Sequence, residues 1–578
     1  MTPIEQTAQV NMGSEKQTAV IEKMRIAPEK TKWLDIQIER ASEWFSSILV
    51  KESRQALKSR QFLWTFFLML ITVATWTLFA LSYFYSELSG DSVAPGPFLL
   101  SGYWMILGFP LAIIIPYSAH RSLAAEMEDG TLQLVSITTM RPYQIISGKL
   151  GSACLQMITY LSVIAPCIVF TYLLRGVDLI QVFLGFSIAI TGCIFLSIAG
   201  LLLATVSRNR LIGLVISILM VLGLGLAYWL WIGYSFTSTF FGSGMRSALY
   251  DPAAQMALWV CFGTAITTAA VFFTAACSQI AFEAENRSTA IRIALLVQQT
   301  FALGLVVSAV VFQTVPNDAY WIFAMWYGHY WLLLGSMLVS VPNNMSRRVR
   351  RRLPAKFWSK GLFSLLMPGP GRGYLFAVAN LIACFLSFCC LVFFGDILLT
   401  LVGPNGGVNG SIFPQAITKP FQTIFSIYTA TLYPIFFLTV VFLLVRLRKK
   451  RQPNSSPIMG ALIAGILVAF SAILGFVLQF NILPYSNSDY TIFQALNWYT
   501  TTDESFSAMY SEATVAILFM SVFTAGLVFV AFRIAGRELL IGELAVPKRV
   551  QEDIKENKKI QLAPGESIDE IFAAPREE

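Results

Sequence analysis

HRSLAAEMEDGTLQLVSITTMRPYQIISGKL, residues 120–150, is a mixed-charge stretch set between two strongly apolar runs. Its acids Glu126, Glu128 and Asp129 are followed by Gly130 and Thr131. A glycine behind a helix-like run supplies the positive φ that lets a helix end sharply. Beyond that break, Leu132, Leu134, Val135 and Ile137 offer one apolar side to a short second element. A helix, a glycine turn and a second amphipathic helix between two spans make a projection at a membrane surface, a shape suited to docking another protein. An ordinary loop is the plainer reading of the same residues.

The rest of the chain reads as membrane around this segment. Of 578 residues, 56% are hydrophobic and 13% charged, and the mean hydropathy is +0.64. A soluble chain carries about a quarter charged residues. In a soluble protein the net charge of +8 would suggest nucleic acid, but here the basic residues flank apolar spans, so no nucleic-acid partner is implied. All eight cysteines lie inside apolar runs without zinc-ligand spacing, which makes them core or helix-interface residues.

Apolar runs near the roughly 20 residues that cross a bilayer recur at about 62–84, 98–118, 152–174, 179–206, 211–234, 255–281, 291–315, 320–342, 374–402, 421–445, 458–483 and 512–532. The expected fold is all-α and polytopic, with twelve transmembrane helices. With a cytosolic N-terminus, the inward segments hold Arg121, Arg141, Lys149, Arg208, Arg210, Arg287 and Arg292, and the runs Arg347–Arg352 and Arg446–Arg451. The outward segments hold only Arg175, Arg246 and Lys419. The positive-inside rule selects this orientation, with both termini cytosolic, and a miscounted span would invert every loop after it.

Residues 1–40 are polar and aperiodic and read as a mobile cytosolic arm without a cleavable signal. In 41–60, Trp44, Phe45, Ile48 and Leu49 form an apolar group and Lys51, Arg54, Lys58 and Arg60 a basic side, the composition of a helix lying among lipid headgroups. The first six spans occupy 41–285 and a second six-span block 286–534. The segment Asn343–Gly373 in that block is basic and ends in MPGPGRG, consistent with anionic lipid beside it or with simple topogenic charge. Residues 535–578 read as a cytosolic tail.

No catalytic constellation is visible. The phosphate cradle G-x-x-x-x-G-K-[ST] fails at Gly148-Lys149, because Tyr143 stands at the first glycine and Leu150 follows the lysine. The span interiors are nearly free of titratable groups, which argues against an ion-coupled carrier. Asp396 lies near the outward end of its span, and His120 and His329 are isolated, a poor arrangement for metal or general-base chemistry.

The stretch E-M-E-D-G-T-L at 126–132, the break at Pro142 and G-K-L at 148–150 resemble the segment between the second and third spans of ABC transporter permeases of the type 2 family. SITTMRP departs from the leucines and Thr-Pro pair more common there. VKESRQALKSRQF at 50–62 resembles the connecting helix that leads into the first span of that family. The resemblance covers about residues 41–285. It implies the membrane subunit of an exporter, itself not an enzyme, in a prokaryotic inner membrane. ATP and Mg would be held by a separate cytosolic ABC ATPase subunit, with a second copy of this chain or a homologous permease as partner. It also implies that Glu126, Glu128, Asp129, Gly130, Thr131, Leu132, Pro142, Gly148 and Lys149 couple to that ATPase, and that Ser235–Ala254 forms a re-entrant hairpin. A non-transporting polytopic scaffold fits the same composition, with a secondary transporter third.

Overall fold

The computed structural model describes residues 47–84, 95–131, 140–174, 176–206, 210–240, 251–282, 285–311, 320–341, 363–402, 420–449, 457–482, 490, 494–507 and 512–540. All regular structure among them is helical. Twelve of these helices are long and apolar enough to cross a membrane, at the places the apolar runs occupy. The protein is an all-α polytopic membrane protein. Helix is the form such runs must take, since lipid offers no partner to a bare N–H or C=O. The chain divides into two compact units, 1–281 and 282–578, a few residues short of the boundary expected at 285.

Unit 1 contains α1 (Ser47–Leu57), α2 (Arg60–Phe84), α3 (Pro95–Phe109), α4 (Ile115–Glu128), α5 (Pro142–Leu173), α6 (Leu179–Val206), α7 (Arg210–Phe240) and α8 (Pro252–Ile280). Helices α3 and α4 are one span, joined by a π turn at Pro110–Ile114. Pro110 has no N–H to give the preceding turn, and the ladder absorbs the loss by widening, so that Ile115 N–H donates to Pro110 O. This second span is the axis of the unit. Tyr103, Trp104, Leu107, Leu111 and Ile115 on it are all buried. Trp76 of α2 donates Nε1 to Leu99 O at 3.2 Å, and Trp231 of α7 donates Nε1 to Trp104 O at 2.6 Å. Both bonds fasten a neighbouring span to the axis where apolar packing alone gains little over lipid. Helix α2 shows the inverted surface of a span: Phe62, Met69, Val73 and Ala80 form its buried stripe, and Trp64, Phe67, Leu68 and Ile71 are exposed to lipid.

Unit 2 contains α9 (Thr289–Val311), α10 (Tyr320–Ser340), α11 (Pro370–Val402), α12 (Pro420–Lys449), α13 (Pro457–Ile482), the short α14 (Trp498–Ser507) and α15 (Glu512–Leu540). The two units repeat one packing scheme. In each, the second span lies against the third, fourth and fifth, the fourth against the fifth and sixth, and the third against the fourth and sixth. They differ at the first span, which packs chiefly on the second in unit 1 and on the third in unit 2. They also differ in their added helices, α1 before the first span of unit 1 and α14 before the last span of unit 2. Helix α14 buries Trp498, Thr501, Thr502 and Ser505 and packs mainly on α12.

Three sequence expectations shift. The second and third spans run past their apolar windows, so the helix expected before Gly130 is the end of the second span itself and Lys149 lies two turns inside the third. The interfacial helix ends at Leu57, and Arg60 is the first residue of the first span. Ser59 separates the two, its Oγ accepting from Phe62 N at 3.1 Å as a helix N-cap. Of the cysteines expected in the core or at helix interfaces, Cys261 and Cys390 are exposed instead, on the outer faces of their spans. Of the re-entrant hairpin expected at Ser235–Ala254, residues 235–240 continue α7 and 252–254 open α8; residues 241–250 lie outside the described residues, as do the side chain of Asp396 and both termini.

Candidate functional site

The residues singled out in the sequence meet where α1, the end of α4 and the start of α5 pack together. Helix α5 opens on Pro142 at its first position, and Arg141 N donates to Gln144 Oε1 at 2.9 Å, so two donors a helix start normally leaves open cause no loss. Two turns on, Gly148 faces α1. A Cβ there would stand 2.8 Å from Ile48 Cγ2 and 3.3 Å from Leu49 N, so only glycine lets α1 cross α5 this closely.

Next to it Lys149 is 3% exposed. Its ammonium lies 3.2 Å from Glu52 Oε1 of α1, 3.1 Å from Glu126 Oε2 of α4 and 3.4 Å from Ser122 Oγ of α4. An ammonium has three protons to donate, and these three acceptors take them all. Lys51 adds a longer contact, 3.9 Å to Glu126 Oε1, from a side chain that is 65% exposed. One buried cation thus ties three elements together. Removing it would leave two carboxylates facing each other beside apolar packing.

The acids of the E-M-E-D-G-T stretch therefore separate by role. Glu126 turns in to Lys149, while Glu128 and Asp129 are exposed. The helix ends at Glu128, and Gly130 takes φ +69°, the left-handed conformation expected of it. Asp129 N donates to Ala125 O at 2.9 Å and Thr131 Oγ1 to Glu126 O at 3.3 Å, occupying carbonyls that the helix end leaves open. Behind this end His120 is buried, its Nδ1 3.0 Å from Gly200 O. A carbonyl only accepts, so Nδ1 carries the proton and the ring acts as a strut between α4 and α6.

Lys51 and Arg54 line the exposed side of α1, the basic face anticipated for it, and Lys58 is exposed in the turn that follows. Trp44 and Leu132 lie outside the described residues, as does the short apolar element at 132–139. A cavity of about 260 Å³ lies beside the network, with Glu52, Gln55, Arg121, Ser122, Lys149 and Gln156 among its walls.

Glu52 is the residue that sequence reasoning missed. Inside a basic flank it reads as a solvated charge, yet it is 7% exposed and pairs with Lys149. The available signal was its spacing from Ile48, one helical turn earlier on the same face. Among the described residues no group of acids, histidines and cysteines is arranged to hold a metal ion. No family model matches the chain, and no curated protein or solved structure matches it either.

Proposed function

We propose that this chain is the membrane-spanning permease subunit of an ATP-driven ABC transporter of the exporter kind, and that it takes its driving force from a separate cytosolic ATPase docked on the end of α4. The single observation that supports this reading is the buried Lys149, which joins Glu126 at the docking end to Glu52 on α1. A push on α4 is then delivered to the interfacial helix and to the third span together, because the charge network makes the three move as one body. The exposed Glu128 and Asp129, next to the sharp turn at Gly130, are the groups that meet the partner. ATP and Mg belong to that partner, where their binding and hydrolysis supply the motion. In this reading the membrane is a prokaryotic inner membrane, both termini are cytosolic, and a second permease copy or a homologous permease completes the assembly.

The test is a pull-down of the detergent-solubilised chain with a candidate ABC ATPase subunit, comparing wild type with Glu128→Arg plus Gly130→Pro. The expected result is loss of the ATPase, and of hydrolysis stimulated by the membrane subunit, from a variant that still inserts and elutes as a folded species. Unchanged binding by the variant, or no capture by the wild type, sinks the coupling assignment and leaves the scaffold reading in its place.

A further inference from the structure

The start of the third span of unit 2 is built on a different charge plan. Arg372, in the first turn of α11, is 1% exposed, and Arg292, in the first turn of α9, is completely buried. Arg372 donates Nη1 to Pro368 O at 3.2 Å. Arg292 donates Nη1 to Leu365 O and lies 5.3 Å over the Phe376 ring. Its Nε and Nη2 are buried without a hydrogen-bond acceptor, and no ion pair reaches it among the described residues. Arg372 is close enough to repel it. The segment that leads into α11 brings no counter-charge: from Asn343 to Gly373 there are eight lysines and arginines and no acid.

We propose that this corner of unit 2, at Arg292 and Arg372, binds a phosphate-bearing anion, either the headgroup phosphate of an anionic lipid or free phosphate. Nε–H and Nη2–H form one edge of the guanidinium, and that edge matches two oxygens of a phosphate in the bidentate manner lysine cannot reproduce. The guanidinium lies over Phe376 in the second turn of the 33-residue α11, whose N-terminal N–H groups and dipole also favour an anion. The turn beside the guanidinium is bonded to α9 by Arg292 to Leu365 O and by Thr289 Oγ1 to Leu366 O at 3.1 Å. An anion gains the edge by displacing that turn slightly. The site is independent of ATPase docking, which concerns unit 1.

The experiment uses the full chain, delipidated in neutral detergent and titrated with phosphatidylglycerol, phosphatidylcholine or inorganic phosphate, with bound species counted by native mass spectrometry. Wild type is expected to retain one phosphatidylglycerol with at least about tenfold preference over phosphatidylcholine, whose phosphate offers the same two oxygens but whose choline cancels the charge that Arg292 and Arg372 attract. Arg292→Gln loses that preference, and Arg292→Lys, which keeps the charge without the fork, keeps the preference but binds phosphatidylglycerol about tenfold more weakly. A control with the arginines of Arg347–Arg352 changed to glutamine keeps it. Displacement of the lipid by millimolar inorganic phosphate identifies free phosphate as the natural occupant, and resistance identifies the lipid. Equal preference in wild type, Arg292→Gln and Arg292→Lys overturns the proposal, and so does a preference lost only in the arginine-run control. Should Arg292→Gln fail to fold, an undiminished affinity for phosphatidylglycerol in Arg292→Lys is by itself sufficient to overturn it.

Discussion

Lys149 in unit 1 and Arg372 in unit 2 hold the same topological place, the start of a third span packed on the second, fourth and sixth, and both are buried. Around Lys149 the chain supplies its own answer, with Glu52 and Glu126 brought in from two other helices. Around Arg372 it brings a second arginine, Arg292. A packing scheme can thus be repeated while the electrostatics of one corner are rewritten. The internally neutralised corner works as a joint, because it holds three elements whatever surrounds it. The other depends on what the solvent or the membrane delivers.

The largest effect expected from breaking this contrast is in unit 1. Lys149→Met should cost about 3–5 kcal/mol, the penalty for stranding buried charge after one partner is removed. Tryptophan-fluorescence unfolding in detergent would read it. The sharper form is the triple variant Lys149→Met, Glu52→Leu, Glu126→Leu, which should return to within about 1 kcal/mol of wild type, since an apolar replacement of a buried ionic cluster is often neutral. A triple variant as unstable as the single would show that packing, not charge, holds the joint.

Gly148→Leu comes next. The added side chain must displace Ile48, at a cost of about 1–3 kcal/mol from overpacking. Faster proteolysis at the junction of α1 and α2 would report it, and unchanged protection would mean that α1 is not clamped to α5. In unit 2, Thr289→Val removes one bond to Leu366 O and should cost about 1 kcal/mol, with no change in the protection of α1. The smallest effect is that of Lys51→Ala. A 3.9 Å contact from a side chain 65% exposed is worth less than about 0.5 kcal/mol, and a shift in melting temperature near that of Lys149→Met would contradict the ranking.

Much of this architecture was legible in the residues. The twelve spans are plain because long apolar runs admit one conformation in lipid, and the helix end before Gly130 follows from the one residue that takes positive φ without cost. Lys149 was reached only through its resemblance to a family pattern, since a lysine at a span boundary otherwise reads as topogenic charge. Arg292 read that way too, and nothing local distinguishes a boundary arginine that faces solvent from one driven beneath a neighbouring turn. Glu52 was hidden by its basic neighbours, and only helical phase put it beside Ile48. The internal repeat was invisible beyond the span count, because packing order is preserved where side chains are not: G-K-L opens one third span and G-R-G the other.

The π turn at Pro110–Ile114 gives the joint in unit 1 a further property, a dependence on counting. Trp231 pins the second span at Trp104, and Lys149 reads it again at Glu126. Between these two marks the helix behaves as a keyed shaft, each residue turning it by about 100°. The wide turn carries one residue more than the ladder would otherwise hold, so the face that offers Glu126 is set by an insertion some four turns away. A chain one residue shorter in that turn would keep every span and every other side chain, and would present a different side of α4 to the lysine.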